Sequence, residues 1–542
     1  MFKQKLQKDL QKQLKKEIIL ENSPSPDLGD YALHAYKLKI SPQELQQQIK
    51  LPNYIERTEI KGPYLNFFIK TNIMVKTIIE TILKEKKYYG SSKEGKNKHI
   101  LIEHTSINPN ASPHLGRARN AIIGDTIVRI LKFQGYKTEV HYYVNDIGKQ
   151  IAMLVLAAEG KKPSFKDLLH LYVEFNKHIT EEKEKKVFSL LYTLEQGDKE
   201  TLKKFKTIVN ICIKGQTTIF KDLDIHYNKF DYESKYINNK ILSSILKDLE
   251  KTKRLLKDQE GRICINLEGF NLSMKAPILP LTRSDGTSMY QLRDLAYAKE
   301  KQVWAKGRNI IVLGEDQKLY FQQLKVILSL LKISPPELIH YSYVLLKEGK
   351  MSTRQGNVVL LEDFMREAKQ KALREVQKRK IIKKNQNLLA KKIAYAAVKF
   401  TVLKVSPEKN IIFDLEEALS FEGDTAPYIQ YTYARTHSIL KKLPNIQKAD
   451  LSRLQTYQER NLIKKMEELP ERVQEASDAL KSTPITSFLL ELTKLFSDFY
   501  QACPVQKATP DLQKARILLL KSYLIVIENA SSLLGIELPQ QM

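Results

Sequence analysis

The pattern of apolar and polar residues predicts a βαβ unit near residue 100. Residues 100–102 form an apolar run typical of a buried strand, and residues 121–131 place apolar side chains at helical spacing. A second strand-like run, rich in β-branched and aromatic residues, covers residues 138–144. Because a polar loop separates the first strand from the helix, we expect two parallel strands joined by a crossover helix.

The rest of the chain is predicted to form three domains of different class. Residues 1–95 open with a Lys- and Gln-rich amphipathic helix and contain a turn followed by a strand, which indicates a small α+β domain. Residues 96–365 are predicted to form an α/β domain, interrupted by a charged, mostly helical insertion at about 151–260. From residue 366 to residue 542 the periodicity is helical, which predicts an all-α domain.

Composition narrows the possible functions. The net charge of +27 favours a polyanionic partner, above all nucleic acid, although a lysine-rich composition can also reflect genome base usage. Cys212, Cys264 and Cys503 are far apart, so we expect free thiols in a reducing cytoplasm and no metal site. No apolar stretch is long enough to span a membrane, so we expect no membrane partner.

The loop before the predicted helix is suited to bind phosphate. It delivers His114 and Gly116 to a helix N-terminus, where unpaired amides and the helix dipole favour anions. Residues 113–117 resemble the His-x-Gly-His signature of class I aminoacyl-tRNA synthetases, with Arg117 in place of the second histidine. The resemblance implies that Pro113, His114 and Gly116 bind ATP. It also implies that His114, Gly116 and Arg117 take part in catalysis.

A second signature lies downstream of the last predicted core strand. Residues 350–354 resemble the mobile Lys-Met-Ser-Lys-Ser loop of the same enzymes. Such a loop closes over pyrophosphate and neutralises the charge that develops as the α–β phosphate bond breaks. The resemblance implies that Lys350 and Met351 bind ATP, and that Lys350, Ser352 and Arg354 are catalytic. Alone, the segment is equally typical of a solvated basic turn.

The chain departs from the family pattern at three positions. Arg117 replaces a histidine, Thr353 occupies the second lysine position of the mobile loop, and Ala111 stands where many members carry a lysine. We therefore infer that Arg117 and Arg354 share the phosphate-binding role. The departures keep open a catalytically silent, tRNA-binding protein on a synthetase scaffold.

Further segments resemble arginyl-tRNA synthetases in particular, in the right order and over nearly the whole chain. They are residues 103–110, 143–150, 285–294, 314–317 and 422–435. The resemblance implies a Rossmann-like class I catalytic core that uses ATP with Mg²⁺ to make arginyl-adenylate. The arginine is then transferred to the terminal adenosine of its tRNA, and a monomer is expected.

Five side chains are the predicted arginine-binding residues. Arginine presents a planar fork of five donors that stays charged, so its pocket needs carboxylates and a ring face. By resemblance, Asp294 accepts from the guanidinium, Glu103 lies near the ligand, and Tyr290 packs on or hydrogen-bonds to the guanidinium. Asn108 and Gln317 suit the α-amino and carboxylate ends. A synthetase for another amino acid is the alternative, which the two acids and Tyr290 disfavour.

Two surfaces are predicted to meet tRNA. In the N-terminal domain, the resemblance implies that Asn66 and the adjacent Phe67 hydrogen-bond to and stack on a flipped-out base at the tRNA elbow. The alternative is a core strand in which Phe67 or Phe68 is buried. The helical domain is expected to bind the anticodon through stacking faces, a cation and its last residue: Tyr428, Tyr431, Arg435 and Met542.

Overall fold

A computed structural model gives the architecture. It describes residues 1–237, 240–272, 277–346, 349–350, 359–379 and 384–542. Within these ranges the α-helices are α1 (Phe2–Leu14), α2 (Pro42–Gln48), α3 (Thr71–Glu85), α4 (Leu115–Phe133), α5 (Lys149–Ala157), α6 (Phe165–Lys177), α7 (Glu181–Glu195), α8 (Lys199–Asp222), α9 (Lys240–Glu250), α10 (Tyr290–Ala305), α11 (Lys318–Leu330), α12 (Leu361–Lys378), α13 (Gln386–Leu403), α14 (Leu415–Ala418), α15 (Ala426–Leu440), α16 (Tyr457–Glu467), α17 (Leu469–Ala479), α18 (Thr483–Ala502) and α19 (Pro510–Leu533). None of them is long and apolar enough to cross a membrane.

The strands are short and belong to four sheets. In chain order they are β1 (Glu21–Asn22), β2 (Tyr31–His34), β3 (Ile55–Lys61), β4 (Tyr64–Ile69), β5 (His99–Glu103), β6 (Lys137–Val144), β7 (Lys229–Tyr232), β8 (Leu255–Lys257), β9 (Ile263–Asn266), β10 (Ile278–Pro280), β11 (Gly307–Gly314), β12 (Glu337–Tyr341), β13 (Val344–Leu346), β14 (Gly349–Lys350) and β15 (Ile411–Phe413).

The N-terminal domain is the predicted α+β unit. Its antiparallel sheet has the order β1-β2-β4-β3, and β3 turns into β4 at Gly62, whose φ of 55° is one that glycine adopts without strain. Helix α1 buries Phe2, Leu6 and Leu10, three residues on one helical face, against this sheet and the C-terminal helices. The amphipathic pattern of the first residues therefore reflects packing within the chain.

The central sheet is parallel and has the order β12-β11-β5-β6-β7. The predicted βαβ unit is confirmed as β5, α4 and β6, with Ile102 in register with Val140 on one side and Ile310 on the other. Strand order reverses at β5, because β6 follows on one side and β11 lies on the other. In open α/β sheets the crevice at the carboxyl ends of such strands is the usual ligand site.

The insertion after β6 differs from the prediction at its end. Helices α5–α8 form a separate helical core, but β7, inside the span predicted as mostly helical, joins the main sheet beside β6. Strands β8–β10 then form a small antiparallel sheet. The sequence of β7, Lys229-Phe-Asp-Tyr, contains no apolar run. Its buried residue Asp231 contacts His141 instead of a hydrophobic core. Periodicity alone does not detect such a strand.

The C-terminal third is helical, as predicted, and is fastened to the catalytic domain. Strand β13, which precedes the second signature, pairs in parallel with β15 and so contacts the helical region. The buried Arg119 of α4 donates to the carbonyls of Ser342, Tyr343 and Ser406. One hydrophobic core runs from the N-terminal sheet through α4 into the C-terminal helices.

Candidate active site

The structure brings all five predicted arginine-binding residues to one cavity. It has a volume of about 460 Å³ and lies at the carboxyl ends of β5 and β11, beside α10. Glu103 is the last residue of β5, and Tyr290 and Asp294 lie one turn apart at the start of α10. Asn108 and Gln317 come from the loops that follow β5 and β11.

Among the described residues, Asp294 has hydroxyl partners but no cationic one. Its carboxylate accepts hydrogen bonds from the hydroxyls of Tyr143, at 3.1 Å, and Tyr320, at 2.5 Å. No Lys or Arg in the described part of the chain forms an ion pair with it. Burial raises the pKa of Asp294 to about 6, because it outweighs the two hydroxyl donors and the nearby charge of Arg293. A cation from a ligand would offset the cost of burying the Asp294 carboxylate in its charged form.

The two other buried acidic groups of the cavity each form an ion pair. Glu103 pairs with Lys301 at 2.5 Å, and both side chains are almost fully buried. Glu233 pairs with Arg293 at 2.7 Å, although burial still raises its pKa to about 7. When the three buried carboxylates Glu103, Glu233 and Asp294 are all ionised, they face two cations, which leaves one negative charge that a singly charged cationic ligand would balance.

Several residues of this charge network are absent from the sequence predictions. Lys301, Glu233, Tyr143 and Tyr320 come from four different elements, and only the fold brings them together. Tyr143 stands in a segment that resembles the family, but the sequence alone gives its hydroxyl no partner. Lys301 resembles the many surface lysines in its sequence context, so no signal marks it as buried.

The remaining three predicted residues lie at the open side of the cavity. The Tyr290 ring is 46% exposed and stands with its centroid 5.3 Å from that of Tyr320. Asn108 donates to Gln150 at 3.2 Å, and Gln317 is exposed in the turn that precedes α11. These groups are therefore accessible to a ligand whose charged end lies deeper, at Asp294.

The first signature forms the N-terminus of α4. His114 is the N-cap residue, and its Nδ1 accepts from the Arg117 amide at 3.3 Å. Burial, reinforced by the charge of Arg117, lowers the pKa of His114 to about 4. The imidazole is therefore neutral, with Nδ1 as acceptor and Nε2–H left to donate. Gly116 lies in the first helical turn, and the Pro113 carbonyl accepts from Leu361.

The second signature is described only in part. The backbone of Lys350 pairs with Leu345 in the hairpin of β13 and β14, next to the segment held by Arg119. Met351, Ser352, Thr353 and Arg354, together with the side chain of Lys350, lie outside the described residues. Ala111, where many relatives were expected to carry lysine, is buried.

The predicted anticodon residues share the outer face of α15. Arg435 stacks its guanidinium 4.2 Å from the ring centroid of Tyr500 and 5.3 Å from that of Tyr431. The Tyr428 hydroxyl lies 2.7 Å from that of Ser497. Tyr500 is absent from the sequence prediction, because it belongs to α18. Met542 packs, partly buried, against the C-terminal core.

In the N-terminal domain the prediction of a base contact for Phe67 is wrong. Its ring is fully buried, and Asn66 is only 4% exposed, because both faces of β4 are covered. Three other rings lie where β4 begins and β2 ends: His34 packs edge-on against Tyr64 at 4.9 Å and against Tyr36 at 6.3 Å. Tyr36 is 59% exposed. These three rings, of which Tyr36 is exposed and the other two are half-buried, form the aromatic cluster of this domain.

Comparison with known families matches the three domains separately. The catalytic domain model of class I tRNA synthetases (R) matches residues 78–415. The arginyl-tRNA synthetase N-terminal domain model matches residues 1–69, and the DALR anticodon-binding domain model matches residues 429–542. These matches account for most of the chain.

Individual relatives agree over their full length. An arginine–tRNA ligase of Methanocaldococcus jannaschii is 35% identical, with 100% of this chain and 98% of the relative covered. One from Methanocella arvoryzae is 35% identical over 94% of this chain and 92% of the relative. The solved arginyl-tRNA synthetase of Thermus thermophilus superposes with a TM-score of 0.86 at 25% identity, covering both chains completely. The chain belongs to the arginyl-tRNA synthetase family, the class I ligases that join arginine to tRNA.

Proposed function

We propose that the cavity binds L-arginine through Asp294 and that the N-terminus of α4 binds ATP. The observation that carries the proposal is the charge balance of the cavity. Glu103 and Glu233 each have a cationic partner, whereas Asp294 has two neutral hydroxyl donors. Free arginine carries one net positive charge at neutral pH, so it would neutralise the cavity.

The proposed pose places the guanidinium at the deep end of the cavity. Asp294 accepts from it, while Tyr143 and Tyr320 fix the orientation of the carboxylate. Tyr290 covers the guanidinium from the open side, where its ring is available for a cation–π contact. Asn108 and Gln317 then face the α-amino and carboxylate groups.

The role proposed for Glu103 depends on Lys301. One oxygen of Glu103 is held by Lys301, and the other, which lies 3.5 Å from the Ser106 hydroxyl, is proposed to accept from the α-amino group. Lysine as a competing substrate would leave acceptors of the pocket unpaired, at about 1–3 kcal/mol per group. Such a pocket discriminates by binding and needs no separate hydrolytic site.

The chemistry proposed is two-step adenylate chemistry. The arginine carboxylate attacks the α-phosphate of ATP, the bond to the β-phosphate breaks, and pyrophosphate leaves. The terminal ribose hydroxyl of tRNA then attacks the acyl carbonyl and AMP leaves. Neutral His114, the first amides of α4 and Arg117 stabilise phosphate charge, so the protein acts by positioning and electrostatics. We propose that Mg²⁺ enters with ATP, whose phosphates and bound water supply most of its ligands.

The proposed tRNA contacts lie on two exposed aromatic surfaces. The face of α15 that carries Tyr428, Tyr431 and Arg435 offers stacking and a cation to the anticodon loop. In the N-terminal domain, Tyr64 and its two neighbouring rings replace Phe67 as the platform for a base of the tRNA elbow. The net charge of +27 supports contact with a polyanion. We also propose a cytoplasmic monomer.

The test is charging of total tRNA by the purified full chain. Each standard amino acid is supplied in labelled form with ATP and Mg²⁺, and acid-precipitable label is counted. We expect label from arginine alone, and its loss in a His114→Ala variant. Charging with a different amino acid would refute the assignment of the cavity. Retention of tRNA on a filter without any charging would instead support the silent tRNA-binding scaffold.

A further inference from the structure

The loop that connects β5 to α4 is strained at its start. Thr105 and Ser106 have φ values of 74° and 40°, a left-handed conformation that β-branched threonine rarely adopts. Such a conformation persists only where surrounding contacts enforce it. Here the Asn120 carboxamide accepts from the Thr105 amide at 2.5 Å, and the Tyr227 hydroxyl lies 2.8 Å from that of Thr105. Contacts of this kind hold the first third of the loop.

One side chain of the helical insertion contacts the next part of the loop at two carbonyls. Gln216 of α8 is completely buried, and its amide nitrogen donates to the carbonyl of Ala111 at 2.9 Å and to that of Asn108 at 3.2 Å. Its amide oxygen lies 2.8 Å from the Tyr142 hydroxyl. That hydroxyl also accepts from the Ile107 amide, at 3.2 Å. Gln216 therefore spans the loop segment between the two substrate sites.

A second residue of α8 approaches the same loop. Cys212 lies one turn before Gln216 on the same helix face, and its Sγ is 3.5 Å from the Ala111 carbonyl. Cys212 and Gln216 both contact the backbone carbonyl of Ala111 and not its side chain. Because His114 follows within three residues, an anchored carbonyl at Ala111 limits where the N-cap can stand.

We propose that Gln216 is a positioning residue for the synthetase reaction: it sets the separation between Asn108 in the arginine site and His114 in the ATP site. The insertion thereby shapes the active site that it borders. The inference rests on the proposed assignment of Asn108 and His114 to the two substrates. A carboxamide suits the task, because both of its donor hydrogens face backbone carbonyls and its oxygen faces a hydroxyl.

The test compares two variants that both disturb the insertion. Gln216→Met keeps the length of the side chain and removes its hydrogen bonds, whereas Phe205→Leu loosens the core of the insertion without touching the loop. Pyrophosphate exchange and charging are measured for both, together with the unfolding temperature. Gln216→Met removes three hydrogen bonds within the protein, so the loop that carries Asn108 and His114 loses its anchor, and we expect KM for arginine and for ATP to rise about ten- to hundredfold. For Phe205→Leu we expect a lower Tm and unchanged KM values.

A third variant keeps the inference testable if Gln216→Met does not fold. Tyr142→Phe removes only the hydroxyl that meets Gln216 and Ile107, and should raise both KM values by a smaller factor, about threefold to tenfold. Unchanged KM values in every folded Gln216 or Tyr142 variant would overturn the inference, as would equal changes in Phe205→Leu. Failure of the unaltered chain to charge arginine would refute the proposed function instead.

Discussion

The arginine cavity and the outer face of α15 are both proposed binding surfaces, but they are built in different ways. In the cavity, the buried Asp294 carboxylate accepts hydrogen bonds from two tyrosine hydroxyls. On α15, the Tyr431 and Arg435 side chains are exposed and contact mainly each other and Tyr500. The carboxylate in the cavity is therefore constrained by neighbouring side chains, whereas the exposed side chains on α15 are less constrained.

This difference follows from what each surface has to distinguish. A guanidinium differs from an ammonium by charge distribution and donor geometry, which only a desolvated and fully partnered site measures well. A tRNA loop presents stacked bases and phosphates, for which exposed rings and cations provide affinity with less geometric demand. Removing a charge should therefore weaken ligand binding far more in the cavity than on α15.

The largest effect is expected from Asp294→Asn. The variant keeps the shape of the side chain but removes the charge that faces the guanidinium, at about 2–5 kcal/mol, so kcat/KM for arginine should fall about 30- to 3,000-fold. Pyrophosphate exchange measures this loss. Asp316→Asn, at the exposed rim of the same cavity, is the matched control and should change kcat/KM by less than about threefold. Equal losses in the two variants would contradict the comparison.

The pH dependence sharpens the same point. Because burial raises the pKa of Asp294 to about 6, its carboxylate becomes protonated as the pH falls below that value and no longer attracts a cation. We expect kcat/KM for arginine to be constant above pH 7 and to fall about tenfold per unit below about pH 6. The Asp294→Asn variant should lack this limb. A wild-type profile that is flat down to pH 5 would show that Asp294 does not control binding.

A smaller effect is expected on α15. Arg435→Ala removes a cation that stacks on Tyr431 and Tyr500, so KM for tRNA should rise about tenfold while KM for arginine stays unchanged. Charging at two salt concentrations provides the measurement, and the variant should be the less salt-dependent. Lys514→Ala, which removes a lysine already paired with Asp511 on α19, is the charge-matched control. An equal rise of KM for tRNA in both variants would show that Arg435 acts only through its contribution to the net charge.

The smallest effects separate contact from packing in the N-terminal domain. Tyr64→Ala removes a ring of the aromatic cluster and should raise KM for tRNA about threefold to tenfold. Phe67→Leu opens space in the domain core and should lower the free energy of unfolding by about 1 kcal/mol, with KM for tRNA unchanged. Denaturant unfolding and charging assays distinguish them. The reverse pattern would restore Phe67 as the base contact.

The sequence predicts most reliably what is encoded in continuous segments. The β5–α4–β6 unit and the five arginine-binding candidates come from local motifs, and the structure brings those candidates to one cavity. Lys301 and Glu233 escape prediction, since their roles depend on partners that are distant in sequence: Glu103 and Arg293. Buried ion pairs between residues that are distant in sequence produce no periodic pattern from which they could be predicted.

The two incorrect predictions have a common physical cause. The sequence leaves burial of Phe67 or Phe68 open as an alternative, because β4 is covered on both faces and its pattern does not alternate. Strand β7 was missed, because a buried Asp231, paired with His141, stands where a core strand usually has an apolar residue. In both places tertiary contacts override the pattern that sequence reasoning relies on.

The central claim is that Asp294, a carboxylate with two hydroxyl donors and no ion pair among the described residues, selects a guanidinium. Its most direct test compares arginine with citrulline, which has nearly the same shape but a neutral urea group, in pyrophosphate exchange by the unaltered chain and by Asp294→Asn. We expect the unaltered chain to prefer arginine by at least about a hundredfold and the variant to lose most of that preference. A variant that still prefers arginine by the same factor would contradict the account and move the recognition of charge to Glu233 or Glu103.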